Sequence, residues 1–355
     1  MPLWSRGHQA LVGLDIGSSC IKAVQLERIR NRYRMVECGM AGIRPETIVD
    51  GVIMDADAVS STIRQLLDKH GILIKNVACS VSGHSVIIKK IKIPKMKKAE
   101  LRKGIMWEAE QHVPYAIEDV NIDFQILKEA GPGEQEMDVL LVAVKKETLN
   151  AYLAAITAAG LTTAVVDVDA FAIENSFTML RQLQPDEVVA LVNIGAALTN
   201  INILDGGISD FTRDSSFGGN RHTESLQKSL GLTFEQAEAI KKGESVQGFS
   251  VADAKHTIEM ATSELAEEIR RSFDFYYSMG EKKAIHRMVL SGGCALLRDL
   301  VPALSGALGL SVEIAHPFQH IATDPKKFNA QQLAQIAPQM TVAVGLALRE
   351  PRDDA

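Results

Sequence analysis

The sequence predicts an α/β protein built from two related halves. Apolar runs of strand length alternate with longer segments in which apolar residues recur at helical spacing, a pattern typical of α/β folds. Residues 12–26 and 190–204 also share one pattern: an apolar strand, an Asp or Asn, Ile-Gly, two small residues and a second strand. Because the copies lie about half the chain apart, we interpret them as equivalent hairpins that each open one half. Two similar hairpins arising by chance are the alternative.

Composition narrows the classes of function. The chain has 355 residues, 46% apolar and 23% charged, which is ordinary for a soluble protein of about two domains. Its net charge of -6 argues against nucleic acid as the main partner. The start, MPLWSRGHQA, lacks an apolar run of signal-peptide length, and residues 148–166 fit a helix and a buried strand better than a transmembrane segment. Cys20, Cys38, Cys79 and Cys294 are scattered, which fits a reduced, cytoplasmic protein.

Several elements have clear local signals. Residues 55–71 show helical apolar spacing and end at a glycine, and residues 77–83 read as a short strand running into a turn. Residues 233–243 begin with a Thr-x-x-Gln capping box and end at a glycine. Residues 253–279 carry one apolar stripe of a long helix. Residues 131–136 form the clearest loop between the halves.

The first hairpin carries residues suited to phosphate and magnesium. Gly17 lets the backbone approach a ligand, and the turn N–H groups with the hydroxyls of Ser18 and Ser19 can surround phosphate oxygens. Lys22 can add a positive charge, and Asp15 can hold a hydrated Mg²⁺. An ordinary hairpin turn is the alternative. Two such hairpins facing each other would clamp the phosphates of a nucleotide between the halves.

A third motif follows a buried strand at residues 287–291. Ser291-Gly292-Gly293 comes next, and adjacent glycines let a flat ring lie against bare backbone. We expect a helix to start beside them, with an N-terminus that favours anions. An ordinary strand-to-helix turn is the alternative.

With these motifs in order, the chain resembles the actin-like ATPase superfamily, which includes actin, the Hsp70 chaperones, sugar kinases and FtsA. The resemblance covers most of the chain and implies two related α/β halves around a cleft that binds ATP or ADP with Mg²⁺. Residues 164–177 resemble the first connecting segment, with Asp169 where relatives often carry a Glu or Gln that orients the attacking water. Residues 341–350 resemble the last connecting helix. Glu238 and Lys241 match the E-x-x-K pair that relatives place against ribose and adenine, with a solvated ion pair as the alternative.

The resemblance therefore implies a set of site residues. The nucleotide-binding candidates are Asp15, Gly17, Ser18, Ser19, Lys22, Asn193, Gly195, Ala196, Thr199, Glu238, Lys241, Gly292 and Gly293. The candidates for catalysis are Asp15, Asp169 and Asn193, and Asp15 is expected to hold Mg²⁺ through water.

The second hairpin departs from the superfamily pattern. Asn193 stands where relatives usually have Asp, and Ala196 and Ala197 stand where they have glycines. Asn cannot accept a proton, and loss of a positioned acid–base group typically costs ~10²–10⁴ in rate. We expect slow or absent hydrolysis, at most weak ATPase activity, with nucleotide as a structural ligand that fixes the angle between the halves.

The segment between the first motif and the connecting segment indicates the branch. Residues 84–127 resemble the extra subdomain of FtsA and, in the runs K-I-P, W-E-A-E-Q-H-V-P-Y and N-I-D-F-Q-I-L, the PilM family of type IV pilus assembly proteins. Residues 218–243 resemble that family too. The resemblance implies a scaffold at the inner face of the bacterial inner membrane. It also implies docking of the cytoplasmic N-terminal tail of PilN beside the extra subdomain, contact with other inner-membrane pilus components, and self-association as a possibility.

Two charged segments bear on membrane contact. Residues 89–103 hold eight basic residues and one acid, which fits either a solvated edge that resists aggregation or attraction to the anionic inner leaflet. The final REPRDDA is short and acidic and does not resemble the basic amphipathic tail of FtsA, so membrane docking is expected through a partner.

Two other functions stay open on this fold. One is an FtsA-like filament-forming ATPase. The other is a sugar or small-acid kinase, which needs an Asp base deep in the cleft, and no convincing element for it is found.

The predicted domain boundaries follow the motifs. The first half is 1–84 and 164–186, the inserted subdomain 85–163, the second half 187–335 with a helical subdomain at about 218–285, and the returning helix 336–355.

Overall fold

The computed structural model describes residues 11–30, 32–128, 135–179 and 183–350. Most of the loop predicted at 131–136 and nearly all of the acidic tail lie outside this part of the chain. The strands in the described residues are β1 Val12–Ile16, β2 Cys20–Ile29, β3 Arg32–Gly42, β4 Ile48–Val49, β5 Val52–Ile53, β6 Asn76–Val81, β7 Val86–Pro94, β8 Val120–Lys128, β9 Glu136–Lys145, β10 Thr162–Val168, β11 Val188–Ile194, β12 Thr199–Asp205, β13 Ile208–Ser215, β14 Arg287–Ser291, β15 Ser311–Ile314 and β16 Ile321–Ala322.

The α-helices in the same residues alternate with these strands. They are α1 Ala56–Lys69, α2 Lys98–Glu110, α3 Lys146–Ala158, α4 Asp169–Thr178, α5 Asn220–Leu230, α6 Phe234–Lys241, α7 Val251–Ser278, α8 Leu300–Leu308, α9 Ala330–Ile336 and α10 Thr341–Ala347. Short 3₁₀ turns occur at Ile117–Asp119, Gly293–Leu296 and Ala337–Met340.

The two larger sheets share one strand order. The first runs β3-β2-β1-β6-β10 and the second β13-β12-β11-β14-β15, with β16 added beside β3. In each sheet three antiparallel strands form a meander, and two parallel strands follow on the other side of the first strand. The prediction of two related halves, each opened by a hairpin, is therefore confirmed.

Local signals in the sequence place several helices correctly. Asp55 caps α1, because its carboxylate accepts a hydrogen bond from the backbone N–H of Ala58 at 2.9 Å. Thr233 and Gln236 form the predicted capping box of α6. The apolar run at 148–166 is helix α3 followed by strand β10. Among the described residues, no helix is long and apolar enough to cross a membrane.

The segment after β14 differs from the expectation. We expected a helix to begin beside Gly292 and Gly293, but a single 3₁₀ turn occupies Gly293–Leu296 and α8 begins only at Leu300. The expected α-helix start beside these glycines is therefore wrong, because only a short 3₁₀ turn begins there.

A smaller sheet in the order β7-β9-β8 forms the inserted subdomain. Helix α2 packs on one face of this sheet through Leu101 and Ile105, against Ile93 and Leu141. The other face of the sheet packs against the first half.

The packing leads us to propose two shifts in the domain boundaries. Tyr152 and Ile156 of α3 lie in the core of the first half, so we propose that the insert ends near residue 145 rather than 163. Phe318 and Leu333 pack with Val24 of the first half, so we propose that the second half ends near residue 315 rather than 335.

Helices α4 and α10 cross between the two halves with backbone in contact. A Cβ atom on Gly345 of α10 would overlap the carbonyl oxygen of Ala172 on α4. A Cβ atom on Gly13 of β1 would likewise overlap the backbone of Ala343 on α10. Small residues at these positions let the backbones approach until no side chain separates them.

We predict that Gly345→Ala lowers the free energy of unfolding by about 1–3 kcal/mol or more, because the added methyl group meets backbone that cannot move aside cheaply. Urea unfolding followed by circular dichroism measures this change. Gly306→Ala is the matched control, since Gly306 is an exposed helical glycine with open space around it. The control should be neutral or stabilise by up to about 1 kcal/mol. Equal effects of the two substitutions would contradict the close crossing.

Candidate functional site

The first hairpin holds a nearly buried ion pair under its turn. The N–H of Gly17 donates to the carbonyl of Cys20 at 3.2 Å and closes the turn. Asp15 and Lys22 are cross-strand partners, and the Lys22 ammonium donates to the Asp15 carboxylate at 2.7 Å. Burial, the largest single influence, would lower the pKa of Lys22, but the charge and hydrogen bond of the Asp15 carboxylate, with further contributions from Cys20 and Asp169, together outweigh it, and the pKa is raised. Lys22 therefore stays charged beneath the turn.

The tip of this hairpin offers hydrogen-bond donors. Ser19 is exposed and Ser18 is half-buried. Within the described residues, neither hydroxyl takes part in a hydrogen bond. Two hydroxyls and a buried cation therefore lie at one turn, which suits an anion with several oxygens.

The second hairpin repeats this geometry with amides in place of charges. The N–H of Gly195 donates to the carbonyl of Leu198 at 2.8 Å, as Gly17 does to Cys20 in the first half. Asn193 and Asn200 take the cross-strand positions that Asp15 and Lys22 take in the first hairpin. The Asn193 Nδ2 donates to the Asn200 Oδ1 at 3.0 Å. The second half thus keeps the hydrogen bond and loses both charges.

Asn193 belongs to a buried polar chain of Ser291, Asn193, Asn200, Asp214 and Gly83. The Asn200 Nδ2 donates to the Asp214 carboxylate at 2.9 Å, and the backbone N–H of Gly83 donates to the same carboxylate at 2.6 Å. The Ser291 hydroxyl donates to the Asn193 Oδ1 at 3.1 Å. Since Asn200 turns its amide nitrogen toward a carboxylate, it presents an oxygen to position 193. A donor is needed there, and Asn supplies one where an ionised Asp cannot.

The tip of the second hairpin is held by the start of α5. The N–H of Gly219 donates to the carbonyl of Gly195 at 2.9 Å, and that of Asn220 donates to Ala196 at 2.8 Å. A Cβ on Gly218 would overlap the carbonyl oxygen of Ala196. Sequence reasoning missed the two glycines, although an adjacent Gly-Gly pair before a helix signals such a close approach.

Thr199 is fully buried, and its hydroxyl donates to the carbonyl of Phe217. In this structure Thr199 therefore supports the turn from behind and does not line the cleft.

Glu238 and Lys241 form a shielded ion pair beside this hairpin. Only 20% and 11% of their side chains are exposed, so the alternative of a solvated pair does not hold. The Lys241 ammonium also donates to the carbonyl of Gly219 at 3.2 Å and to the hydroxyl of Thr223 at 2.8 Å, and that hydroxyl donates to Glu238. The pair therefore joins α6 to the start of α5.

The two glycines after β14 have different surroundings. Gly292 is buried with a φ of 89°, and a Cβ there would overlap the carbonyl of Ile194. Gly293 is exposed and has nothing within 4 Å of the position a Cβ would take. Cys294 packs directly on Gly219. Gly293 alone of the pair therefore presents bare backbone to open space, next to the second hairpin and α5.

Asp169 begins α4 on the side of the first hairpin. The hydroxyl of Ser80 donates to its carboxylate at 2.5 Å, and the hydroxyl of Ser82 also hydrogen-bonds it. Burial, together with the nearby charge of Asp15, raises the pKa of Asp169 to about 7. Sequence reasoning missed the two serines, which alternate at the end of β6. Within the described part of the chain, no three acidic, His or Cys side chains are grouped to hold a metal ion directly.

Contacts across the cleft bring the residues of the first hairpin close to those of the second hairpin and α6. The side chain of Leu198, in the second turn, packs on Gly51 and Gly83 of the first half. Burial raises the pKa of Cys20 in the first turn, while the positive charges of Lys22 and of Lys242, at the end of α6, act to lower it. The first hairpin therefore faces α6 and the second hairpin across the boundary between the halves.

The two α/β halves share one strand order, and each opens with a hairpin that faces a shared cleft. Two helices with small residues at their contact cross between the halves. These features define the actin-like ATPase fold. The family described as type IV pilus assembly protein PilM matches residues 13–351. The chain belongs to this family.

Solved and curated proteins agree with this assignment. A chain of the PilM–PilN type IV pilus biogenesis complex is 29% identical, with a TM-score of 0.88 over 97% of this chain and 99% of that chain. The cell division protein FtsA of Bacillus subtilis is 22% identical over 93% of this chain and 84% of FtsA. MreB5 of Spiroplasma citri bound to ADP is 12% identical, with a TM-score of 0.53 over 95% of this chain and 94% of MreB5, and shares the fold.

We predict that Asp169 makes the protein less stable as the pH rises. Its pKa is about 7 when folded, against an ordinary 3.8, so the folded state holds a proton that the unfolded chain releases. This contribution to stability is complete below the unfolded pKa and is lost as the pH rises through about 7. Asp169→Asn keeps an acceptor for the serine hydroxyls and removes the titration. Relative to this variant, the wild-type free energy of unfolding should fall by roughly 2–3 kcal/mol between about pH 5 and pH 8.

Denaturant unfolding at the two pH values makes this measurement. Asp68→Asn, which changes an exposed carboxyl group of α1, is the control and should follow the wild-type pH dependence. Parallel pH dependences of wild type and Asp169→Asn would show that the carboxyl group is ionised throughout.

Proposed function

We propose that this protein is a cytoplasmic, nucleotide-binding scaffold of type IV pilus assembly. In this proposal it binds ATP or ADP with Mg²⁺ between its halves and docks the cytoplasmic N-terminal tail of the inner-membrane protein PilN. The observation that carries the nucleotide site is the buried Lys22–Asp15 pair beneath a turn whose serine hydroxyls have no partner among the described residues. A buried cation under a free donor surface is suited to phosphate oxygens.

The residues present fit a nucleotide along the cleft. We assign the phosphates to the turn of Gly17, Ser18 and Ser19 with Lys22, opposite the turn of Gly195 and Ala196. Mg²⁺ would lie near Asp15 through water, since a magnesium ion keeps most of its waters and needs few carboxylates.

We place the adenosine between the shielded Glu238–Lys241 pair and the open backbone of Gly293. Gly292 and Thr199 are buried and act through packing in this proposal. MreB5, which has the same fold, is bound to ADP in its structure.

Hydrolysis is slow or absent in this proposal. Asn193 donates to Asn200 and accepts from Ser291, so it has neither the charge nor the freedom to activate water. Asp169, with a pKa of about 7, remains as a candidate to orient water, but Ser80 of β6 and Ser82 just after it hold its carboxylate. Because the two hairpins belong to different halves, a nucleotide bound to both would stabilise one angle between them.

Two observations support the role in pilus assembly. The family match covers residues 13–351, and the similar chain of the PilM–PilN complex covers 97% of this one. The inserted subdomain ends its sheet with β8, and an edge strand can receive an extended peptide through main-chain hydrogen bonds. We propose that the tail docks beside this subdomain and holds the protein at the inner membrane. Contact with other inner-membrane components and self-association belong to the same proposal.

The FtsA-like filament is a second candidate, because FtsA is 22% identical over 93% of this chain. The family match and the higher identity to the PilM–PilN chain favour the scaffold.

We predict that the nucleotide-stripped protein binds Mg-ATP with a Kd on the order of micromolar or tighter in calorimetric titration. Lys22→Ala should weaken binding by about tenfold or more, because a charge-assisted contact to phosphate is lost. Lys282→Ala is the matched control: Lys282 pairs with Asp210 at the same 2.7 Å and has a similar exposure, but it lies outside the cleft. The control should bind like the wild type.

If Lys22→Ala binds Mg-ATP as tightly as the wild type, the proposed phosphate site is wrong. If the wild type itself does not bind Mg-ATP, the protein would be a docking scaffold that works without nucleotide. The same preparations test turnover. Phosphate release faster than about one per second, abolished by Asp15→Ala, would contradict the structural role of the nucleotide.

We also predict that a fluorescent peptide of the N-terminal tail of PilN from the same organism binds the full chain with a Kd on the order of micromolar in an anisotropy titration. A scrambled peptide is the control and should not bind. Equal binding of both peptides would contradict specific docking.

A further inference from the structure

The outer face of α2 in the inserted subdomain carries exposed apolar and basic side chains together. The buried stripe of this helix, Leu101, Ile105 and Ala109, packs on the sheet beneath it. The opposite side and the turn before the helix expose a set that we call the basic–aromatic face: Lys97, Lys98, Arg102, Lys103, Met106 and Trp107.

Trp107 and Met106, the two apolar members of this face, are unusually exposed for large apolar side chains. Trp107 is 73% exposed and Met106 is 45% exposed, and they are neighbours on the same turn. A large aromatic side chain is normally well buried in a folded protein, so such exposure marks a surface for contact. The proposed nucleotide site uses none of these residues.

The cations on this face are available. In the part of the chain that the structure describes, no ion pair forms at Lys97, Lys98, Arg102 or Lys103. Helix α2 also carries three acids. Glu100 accepts a hydrogen bond from the backbone N–H of Lys97 at 3.0 Å, while Glu108 and the exposed Glu110 lie at the C-terminal end of the helix, beyond Trp107. The first two turns of the face, residues 97–103, therefore hold four cations against one acid and are positive, although the whole chain has a net charge of -6.

We propose that the basic–aromatic face lies directly on the anionic surface of a phospholipid membrane. Charge complementarity identifies the occupant: clustered Lys and Arg are attracted to anionic headgroups, and Trp prefers the boundary between headgroups and acyl chains. A solvated sheet edge would explain the lysines but not the exposed Trp107 and Met106. The outer side of a helix on a sheet also suits a flat surface.

The net charge determines which way the protein faces. Because the chain as a whole is repelled by an anionic surface, attraction at the basic–aromatic face would turn the inserted subdomain toward the lipid. Under the proposed function, this orientation brings the subdomain to the place where a membrane protein's tail emerges. Two weak contacts on one body then reinforce each other.

The test is cosedimentation of the full chain with vesicles of phosphatidylcholine alone and of phosphatidylcholine mixed with phosphatidylglycerol, without any protein partner. We expect binding to the mixed vesicles only, weakening as salt is raised. Lys97→Glu with Lys98→Glu should weaken it by about tenfold or more. Lys228→Glu with Lys326→Glu, which makes the same change in net charge at two other exposed lysines, should not weaken it.

The apolar part of the contact has its own control. Trp107→Ala should weaken vesicle binding by about fivefold, while Leu73→Ala, which truncates an 84% exposed side chain of the first half, should not. The chain has two tryptophans, so a Trp4→Phe background reports Trp107 alone. Its emission should shift to the blue on mixed vesicles.

Equal binding to both kinds of vesicle, equal effects of the two charge reversals, or an unshifted emission of Trp107 would each overturn the proposal. Loss of PilN-tail binding by the Lys97/Lys98 variant, with vesicle binding unchanged, would assign the face to a protein partner. Since the vesicles carry no tail and no nucleotide, failure here leaves the nucleotide and docking proposals standing.

Discussion

The backbone contact between α4 and α10 sets the arrangement on which the cleft depends. Gly345 lies on the carbonyl of Ala172, and Gly13 lies on the backbone of α10, so the halves meet where no side chain can adjust the spacing. Arg349 then pairs with Asp167 at 2.6 Å across the same crossing. The first hairpin begins at this crossing, since its strand β1 carries Gly13.

The hairpins show how one geometry is built with different chemistry. A cross-strand hydrogen bond lies under each turn, between Lys22 and Asp15 in the first half and between Asn193 and Asn200 in the second. The first version concentrates charge at the turn and is suited to bind an anion. The second joins its amides to Asp214, which reaches into the first half, and so uses the same position to hold the halves together. Asn at position 193 therefore has a structural reason.

Much of the fold could be predicted because its signals are local. The Thr233–Gln236 capping box, the Asp55 cap and the strand, turn and strand of each hairpin depend on residues a few positions apart. These patterns determine hydrogen bonds within one element, so their effect does not depend on how the rest of the chain packs. The repeat of the hairpin pattern in the second half then indicated that the two halves share one topology.

The sequence by itself determined the order of elements, the two hairpins and the residue types at their turns. The tertiary structure alone decided what those residues do. Gly292 is buried while Gly293 is open, Thr199 faces inward, and Asp169 titrates near neutral pH. The shielding of the Glu238–Lys241 pair comes from the start of α5. Burial, and the charges and hydrogen bonds it strengthens, depend on neighbours that are distant in the chain, and no local pattern encodes them.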